Sequence, residues 1–277
     1  MLQLLRSLAQ NRSLLRNFVV RDLRARYVGS SLGFFWSVIF PVLNLAIYML
    51  VFQVILKMSW AGKSAQEVVL LMLVAIVAWS AFSEAISRST NVLVDNQNLI
   101  EKVVFPSEIL PAFVTLSAMI NMLIAMPVVL AALVWAMLNP SEQALATGGG
   151  VHLGPNAAWL PVLLLLQTVF TAGLGYFFAT FNLFWRDTFH VIGVFLTVWM
   201  FMTPIFYAPV MMVDQGFGWM LQINPMHWLM DMYRGALVQN VAPAPADLGR
   251  FGLASVAVLA IGATFFARQR ARFPDLL

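Results

Sequence analysis

The sequence contains no cysteine, and only 10% of its 277 residues are charged. Without cysteine there is no disulfide framework, no thiolate zinc site, no cysteine-ligated iron–sulfur cluster and no cysteine nucleophile. The scarcity of charge excludes an ordinary soluble domain, in which about 25% of residues are charged and roughly 45–50% are apolar. Here 61% are hydrophobic and the mean hydropathy is +0.83. A nucleotide site is missing as well. Gly62-Lys63-Ser64 copies the end of a phosphate-binding loop, but the glycine that motif needs five residues before Gly62 is replaced by Lys57. The three histidines, His152, His190 and His227, stand alone and lack zinc-ligand spacing.

What is present is a succession of apolar runs. A membrane span needs ~20 apolar residues, and six such stretches are visible: 33–56, 67–87, 109–138, 158–183, 188–208 and 251–267. Pro41 inside the first implies a kink or a local break, and Pro127 lies inside the third. Trp185-Arg186-Asp187 forms a tight charged turn between the fourth and fifth. Residues 139–157, with Gly148-Gly149-Gly150 and Pro155, read as a loop. The first 32 residues carry six arginines spread along their length with no cleavage site, which is not the layout of a signal peptide. Leu14, Leu15, Phe18 and Val19 fall on one helical face and Arg16 and Arg24 on the other. This predicts a basic amphipathic helix along the membrane surface; a flanking helix whose arginines only set topology is the alternative. Gly29-Ser30-Ser31-Leu32-Gly33 has small-residue spacing suited to helix packing, but its place at the edge of a span favours a flexible junction.

Six spans put both termini on one side. Twelve of the sixteen lysines and arginines fall on that side and four on the other, so both termini are expected in the cytoplasm. The whole chain then reads as one transmembrane domain of the all-α class. It comprises a cytoplasmic interface helix (1–32), a cytoplasmic coupling region (88–108) and an outer segment (209–250). That last segment holds apolar runs too short, or too interrupted by Asp214, Asp231 and Arg234, to span. Short re-entrant helices account for it; a folded outer loop with a small apolar core is the other reading.

Two features bear on function. The in-span polar residues Asn44, Gln53, Glu84, Asn121, Gln167 and Asn182 are costly against lipid and are expected to face the bundle interior. Aromatics gather at Phe34-Phe35-Trp36 and at Trp199, Phe201, Phe206 and Tyr207. They serve either as interfacial anchors or as flat apolar surfaces lining a path for sugar rings. Phe206, Tyr207, Trp228 and Tyr233 are expected to form an outer gate, and Asn224-Pro225 to set the turn between two short helices. Arg234 sits at helical spacing from Asp231, its expected ion partner, or alternatively attracts a phosphate on a lipid anchor. In the cytoplasmic stretch 91–111, Pro106 ends one helix and Ser107 is expected to cap the next. Leu99-Ile100-Glu101-Lys102 form a short lever between two spans, with Leu99 and Ile100 filling a partner's pocket and Glu101 and Lys102 at its rim.

Several of these motifs, in order, carry a specific resemblance. Arg21-Asp22-Leu23-Arg24-Ala25-Arg26-Tyr27 followed by Gly33-Phe34-Phe35-Trp36 and Pro41 resembles the beginning of permease subunits of polysaccharide-exporting ABC transporters. Asn98-Leu99-Ile100 through Lys102, with Phe105-Pro106 and Glu108 to Pro111, is similar to that family's coupling-helix region. Thr203-Pro204-Ile205-Phe206-Tyr207 and Asn224-Pro225-Met226 are similar to its outer gate. The resemblance covers nearly the whole chain and is greatest to exporters of lipid-linked O-antigen. Exporters of capsule, teichoic acid or another amphiphile such as a drug or lipid are the alternative. It implies a homodimer in the bacterial inner membrane with two copies of a separate ABC ATPase, which would bind the ATP and magnesium. No cofactor is expected on this chain, the substrate would be a lipid-linked glycan, and no nucleic acid would take part. It further implies that Arg21 and Arg24, with Asn98 to Lys102, face the ATPase. Phe35, Trp36, Trp199, Phe206, Tyr207, Trp228, Tyr233 and Arg234 would then lie along the translocation path or its gate.

Overall fold

The computed structural model describes residues 2–27, 35–55, 60, 62–102, 105–147 and 150–277, and these fold into helices with no strand among them. Gly29 to Gly33, Phe34 and Lys57 lie outside the described residues.

The amino-terminal segment is two helices, α1 (Leu2–Gln10) and α2 (Arg12–Tyr27), where the sequence suggested one. Asn11 marks the break, its side-chain amide donating to the Ser7 carbonyl. Phe18 of α2 packs against the protein itself, 5.6 Å from Phe105 and 5.3 Å from Phe113, while Arg16 and Arg24 are exposed. Helix α3 (Trp36–Met49) runs through Pro41 and loosens only afterwards, in a π-helical stretch at Leu50–Ile55. The interruption predicted at the proline therefore lies two turns later.

Helix α4 (Ala65–Asp95) is longer at both ends than the expected 67–87. Ser64 caps it by accepting from the Glu67 amide, and Glu67 pairs with Lys63; a carboxylate in the first turn also complements the helix dipole. Its 31 residues extend for about 46 Å, so it outruns a ~30 Å hydrocarbon core. The short α5 (Gln97–Lys102) follows. Helix α6 (Ile109–Leu138) has the predicted bounds. Ser107 does not cap it through its side chain: Glu108 holds the cap position, and the Pro106 and Ser107 carbonyls accept from Ile109 and Leu110 in a tight turn.

The predicted loop contains α7 (Glu142–Thr147) and a 3-10 turn, Pro155–Trp159, leading into α8 (Leu160–Phe184). Helix α9 (Thr188–Met202) stops six residues short of the expected end. Thr203-Pro204 breaks it, because proline can supply no amide to continue the ladder. Three short helices, α10 (Pro209–Asp214), α11 (Gly218–Ile223) and α12 (Pro225–Arg234), follow α9 and precede a π-helical stretch at Gly235–Gln239. As predicted, Asn224-Pro225 makes the turn between α11 and α12, with the Asn224 side chain accepting from the Met226 amide at 3.0 Å. Helix α13 (Pro245–Gln269) exceeds the predicted 251–267 at both ends, and α14 (Phe273–Leu276) closes the chain.

Among the described residues four helical stretches are long and apolar enough to cross a membrane: Ala65–Asp95, Ile109–Leu138, Pro155–Phe184 and Pro245–Leu276. Helix α4 is the interior member, 78% buried over its most apolar window. Helices α8 and α13 cross backbone to backbone. A Cβ on Gly262 would stand 2.0 Å from the Gly173 carbonyl oxygen, and one on Gly173 would stand 2.5 Å from the Leu259 amide nitrogen. Small residues permit such an approach, and dispersion and packing, rather than water exclusion, hold helices together in lipid.

Candidate functional site

A cleft of about 650 Å³ opens between α3, α4, α6 and α9. Each of three helices contributes a stripe at helical spacing. Helix α3 supplies Trp36, Phe40 and Asn44; α4 supplies Ser80, Ser83, Glu84 and Ser87; α9 supplies Gly193, Leu196, Thr197 and Met200. Asn121 of α6 completes the polar wall, and Trp79, Ile205 and Phe206 make the apolar one. The serines of α4 give hydroxyl groups at low desolvation cost. One serine, Ser83, already bonds its own helix at the Ser80 carbonyl, 3.2 Å away, which softens its polarity.

One end of the cleft is closed by charge. Glu84 accepts from Arg26 and from Arg88, the latter at 3.2 Å. Arg88 donates to both oxygens of Asp22, to Oδ2 at 3.1 Å, and Arg26 Nε shares that Oδ2 at 3.2 Å. Two carboxylates and two guanidiniums thus form a closed square linking α2 to α4. Burial alone would raise the Asp22 pKa, but Arg88 and Arg26 outweigh it and hold the carboxyl below its ordinary range. Burial likewise opposes the charge on Arg26, and Glu84 and Asp22 overcome it, raising its pKa. Both groups stay ionised at neutral pH.

Of the aromatic residues singled out from sequence, Trp36 and Phe206 line this cleft. Phe35 is exposed. Trp199 lies instead against Trp79, Phe82 and Phe170, with ring centroids 6.2, 5.3 and 6.5 Å away, and its indole donates to Asn224 Oδ1 at 2.9 Å. The Tyr207 hydroxyl donates to the Phe201 carbonyl, and the Trp228 indole donates to the Leu221 carbonyl at 3.1 Å. Tyr233 is fully buried and bonds Gln167 of α8. Arg234 is buried too, and it does not pair with Asp231. Its Nε donates to the Leu71 carbonyl at 3.1 Å and its Nη2 to the Ile205 carbonyl at 2.9 Å. Asp231 faces solvent one turn back, beside His227.

The polar residues of the spans do turn inward. Gln167 donates to the Ala78 carbonyl at 2.9 Å, Asn182 bonds Asn91, and Asn44, Glu84 and Asn121 line the cleft; the Gln53 side chain lies outside the described residues. The α4 stripe was missed when these residues were considered singly, although Ser80, Ser83, Glu84 and Ser87 recur at three- and four-residue intervals in an otherwise apolar run. On helix α5 the side chains divide between the protein's own core and solvent. Leu99 and Ile100 pack against the protein's own buried cluster, and Gln97, Asn98 and Glu101 are the exposed positions; the Lys102 side chain lies outside the described residues. On α2, Arg21 is exposed and sits 4.4 Å over the Phe18 ring, and Arg24 is exposed beside it.

A bundle of apolar helices around a cleft whose wall is mainly apolar, with polar groups and the charged Arg26 and Glu84 set into it, suits a conduit for an amphiphile. The comparison with known proteins gives the family. Residues 13–238 match the profile of the ABC-2 type transporter membrane family. The chain belongs to that family. It is 30% identical over 280 residues to the "O-antigen export system permease protein RfbA" of Myxococcus xanthus, covering 99% of each chain. It is also 24% identical over 260 residues to the protein of the same name from Klebsiella pneumoniae, covering 93% of this chain and 92% of that one. The ABC-2 protein described here is therefore a membrane-embedded permease subunit, and membership of the family implies an ABC ATPase as partner.

Proposed function

We propose that this chain is the transmembrane subunit of an ATP-driven exporter that moves a lipid-linked, O-antigen-like polysaccharide across the bacterial inner membrane. The observation that carries the reading is identity along the entire length to a permease named for O-antigen export. The cleft supports it. Its serine, asparagine and threonine side chains can exchange hydrogen bonds with sugar hydroxyls, and Trp36, Trp79 and Phe206 offer ring faces to sugar C–H groups.

In this reading six helices span. The four long ones are joined by α3 with its π-helical extension and by α9. The 20 residues from Trp36 to Ile55 reach about 30 Å, enough for the hydrocarbon core. Both termini are cytoplasmic by the excess of basic residues on that side, and α10, α11 and α12 enter the outer leaflet and return. Two copies face each other so that their clefts form one path, and each engages one of two ATPase subunits. The exposed face of α5, with Asn98 and Glu101, and Arg21 and Arg24 of α2 meet the ATPase, while Leu99 and Ile100 fasten α5 to the permease. ATP and magnesium bind the partner. Phe206 and Tyr207 stand at the outer end of the path.

The test is to purify the permease with its partner ATPase from a cell making the glycan and to identify the retained lipid by mass spectrometry. A lipid-linked glycan, with ATP hydrolysis only when both subunits are present, supports the reading. Retention of a non-glycan amphiphile, or hydrolysis by the isolated permease, overturns it.

A further inference from the structure

A second cavity, of about 400 Å³, lies where α4 and α13 begin, lined by Trp60, Lys63, Leu71, Arg234, the start of α10 and the chain leading into α13. Its deepest charged group is Arg234, only 4% exposed. Two of the guanidinium nitrogens are spent on backbone carbonyls, and the third, Nη1, is buried with no hydrogen-bond partner. Over the guanidinium lies the Trp60 ring, 5.2 Å from Cζ to centroid. The Trp60 Nε1–H is also buried and unpartnered, in a side chain 6% exposed. Both residues line the cavity, and each holds one buried donor that has no partner.

Asp231 acts on the guanidinium only from a distance, and no carboxylate among the described residues bonds it. Three acidic residues are near. Glu67 is bound to Lys63, Asp247 lies 3.6 Å from Arg250, and Asp231 lies 4.0 Å from His227. Asp231 and Asp247 are at the cavity's exposed margin, their side chains 54% and 40% accessible, and neither comes within ion-pair distance of Arg234. A buried cation without a counter-ion is expensive, as is each orphaned buried donor. An anion with several acceptor oxygens would satisfy both donors at once, and the arginine fork suits phosphate. The cavity has room for such a group, being many times the ~30 Å³ of one water molecule. Around the cavity, Val210 and Val241 are more than half exposed, a surface suited to an acyl chain beside a phosphate.

We propose that this cavity is a phosphate-binding site, with Arg234 Nη1 and Trp60 Nε1 as its donors. The phosphate can be a lipid headgroup or a free ion, and the site stands whether or not the transported cargo is a glycan. Occupancy would tie the segment after α9 to the start of α4, since Arg234 already bonds both Ile205 and Leu71.

The test uses the full chain in nanodiscs of phosphatidylcholine. Inorganic phosphate is titrated by calorimetry against a chloride control of equal ionic strength. In a second arm, phosphatidylglycerol is added and the lipid retained is counted by native mass spectrometry. Saturable binding in either arm is expected, and the arm that responds tells the source. Trp60→Phe keeps a ring over the guanidinium but removes the indole donor, and should weaken binding about tenfold. Arg234→Lys should abolish it, and Arg12→Gln, at the opposite end of the chain's fold, should leave it unchanged. No binding in either arm, or equal binding by Trp60→Phe and the parent protein, overturns the proposal.

Discussion

The hydroxyl of Tyr233 donates a 2.8 Å hydrogen bond to Gln167 Oε1, and the amide of Gln167 donates in turn to the Ala78 carbonyl. Three elements, α12, α8 and α4, are joined by this one relay, and both side chains are fully buried. Tyr233→Phe leaves the Gln167 oxygen without a donor. The expected loss is about 1 kcal/mol, as for other hydrogen bonds between membrane helices, read as a lower midpoint of thermal unfolding in detergent. Combining it with Gln167→Leu should cost less than the sum of the two single changes.

Helices α8 and α13 should tolerate nothing larger than glycine where they cross. Gly262→Ala already places a methyl carbon within 2.0 Å of the Gly173 oxygen, so the helices must separate. We expect about 1–3 kcal/mol of destabilisation, the usual cost of overpacking, and a further fall with Gly262→Leu. Gly249→Ala, where a Cβ meets nothing within 4 Å, is the control. Equal unfolding midpoints for Gly262→Ala and Gly249→Ala would refute the close crossing.

The charge square predicts a pH profile. The Asp22 carboxyl is held below its ordinary value of 3.8. Its contribution to stability is thus complete above that value and is lost as pH falls through the lower folded-state value. The Arg26 pKa is raised above its ordinary value, so its contribution is complete below that value and fades only as pH rises through the higher folded-state one. Between pH 5 and 9, on the order of the physiological range, stability from the square should be flat, with a decline only in strong acid. Asp22→Asn should remove that acid-dependent part and cost about 1–3 kcal/mol at neutral pH, between the values for exposed and buried pairs. Differential scanning fluorimetry across pH measures both.

On α5, exposure separates two roles. Glu101→Lys changes an exposed position and should reduce affinity for the partner ATPase while leaving the unfolding midpoint within about 0.5 kcal/mol of the parent. Leu99→Asp instead buries a charge against the protein's own core and should lower stability of the isolated permease. Pull-down with the ATPase and thermal unfolding, measured on both variants, must give opposite patterns; a Leu99→Asp protein of normal stability would return Leu99 to the interface.

Much of this architecture was legible because lipid imposes a simple code. The bounds of α6 are recovered because its apolar run has sharp polar edges at Glu108 and Asn139. Helix α4 was underestimated because Glu84 and Arg88 look like the end of a span, whereas each is neutralised by a residue of α2 some sixty positions earlier. Distant pairing of that kind leaves no local periodicity. The inward turn of Leu99 and Ile100 was hidden for the same reason, since the surface they cover is formed in part by the carboxyl-terminal residues. Pro41 misled in the other direction: helical geometry passes through it and gives way only from Leu50. Gly173 and Gly262, which let α8 and α13 meet, are far apart in sequence and recognisable only once the crossing is known. Asn240, with φ of 52°, is a similar case. Its side chain accepts from the Asn156 amide at 3.2 Å and lies so close to Gly154 that a Cβ there would be 2.4 Å away, so the 139–157 loop is fastened to the chain before α13.

The charge square also fixes an order of events during synthesis. Asp22 and Arg26 leave the ribosome well before Glu84 and Arg88, so the partners of the two charges in α4 already exist when that helix reaches the bilayer. A charged side chain entering lipid alone costs several kcal/mol; Glu84 and Arg88 already pair within α4, and Asp22 and Arg26 complete the neutralisation when α2 lies beside them. The amino-terminal arm thus shares the charge of the central helix, and without it Glu84 and Arg88 would keep only each other as partners.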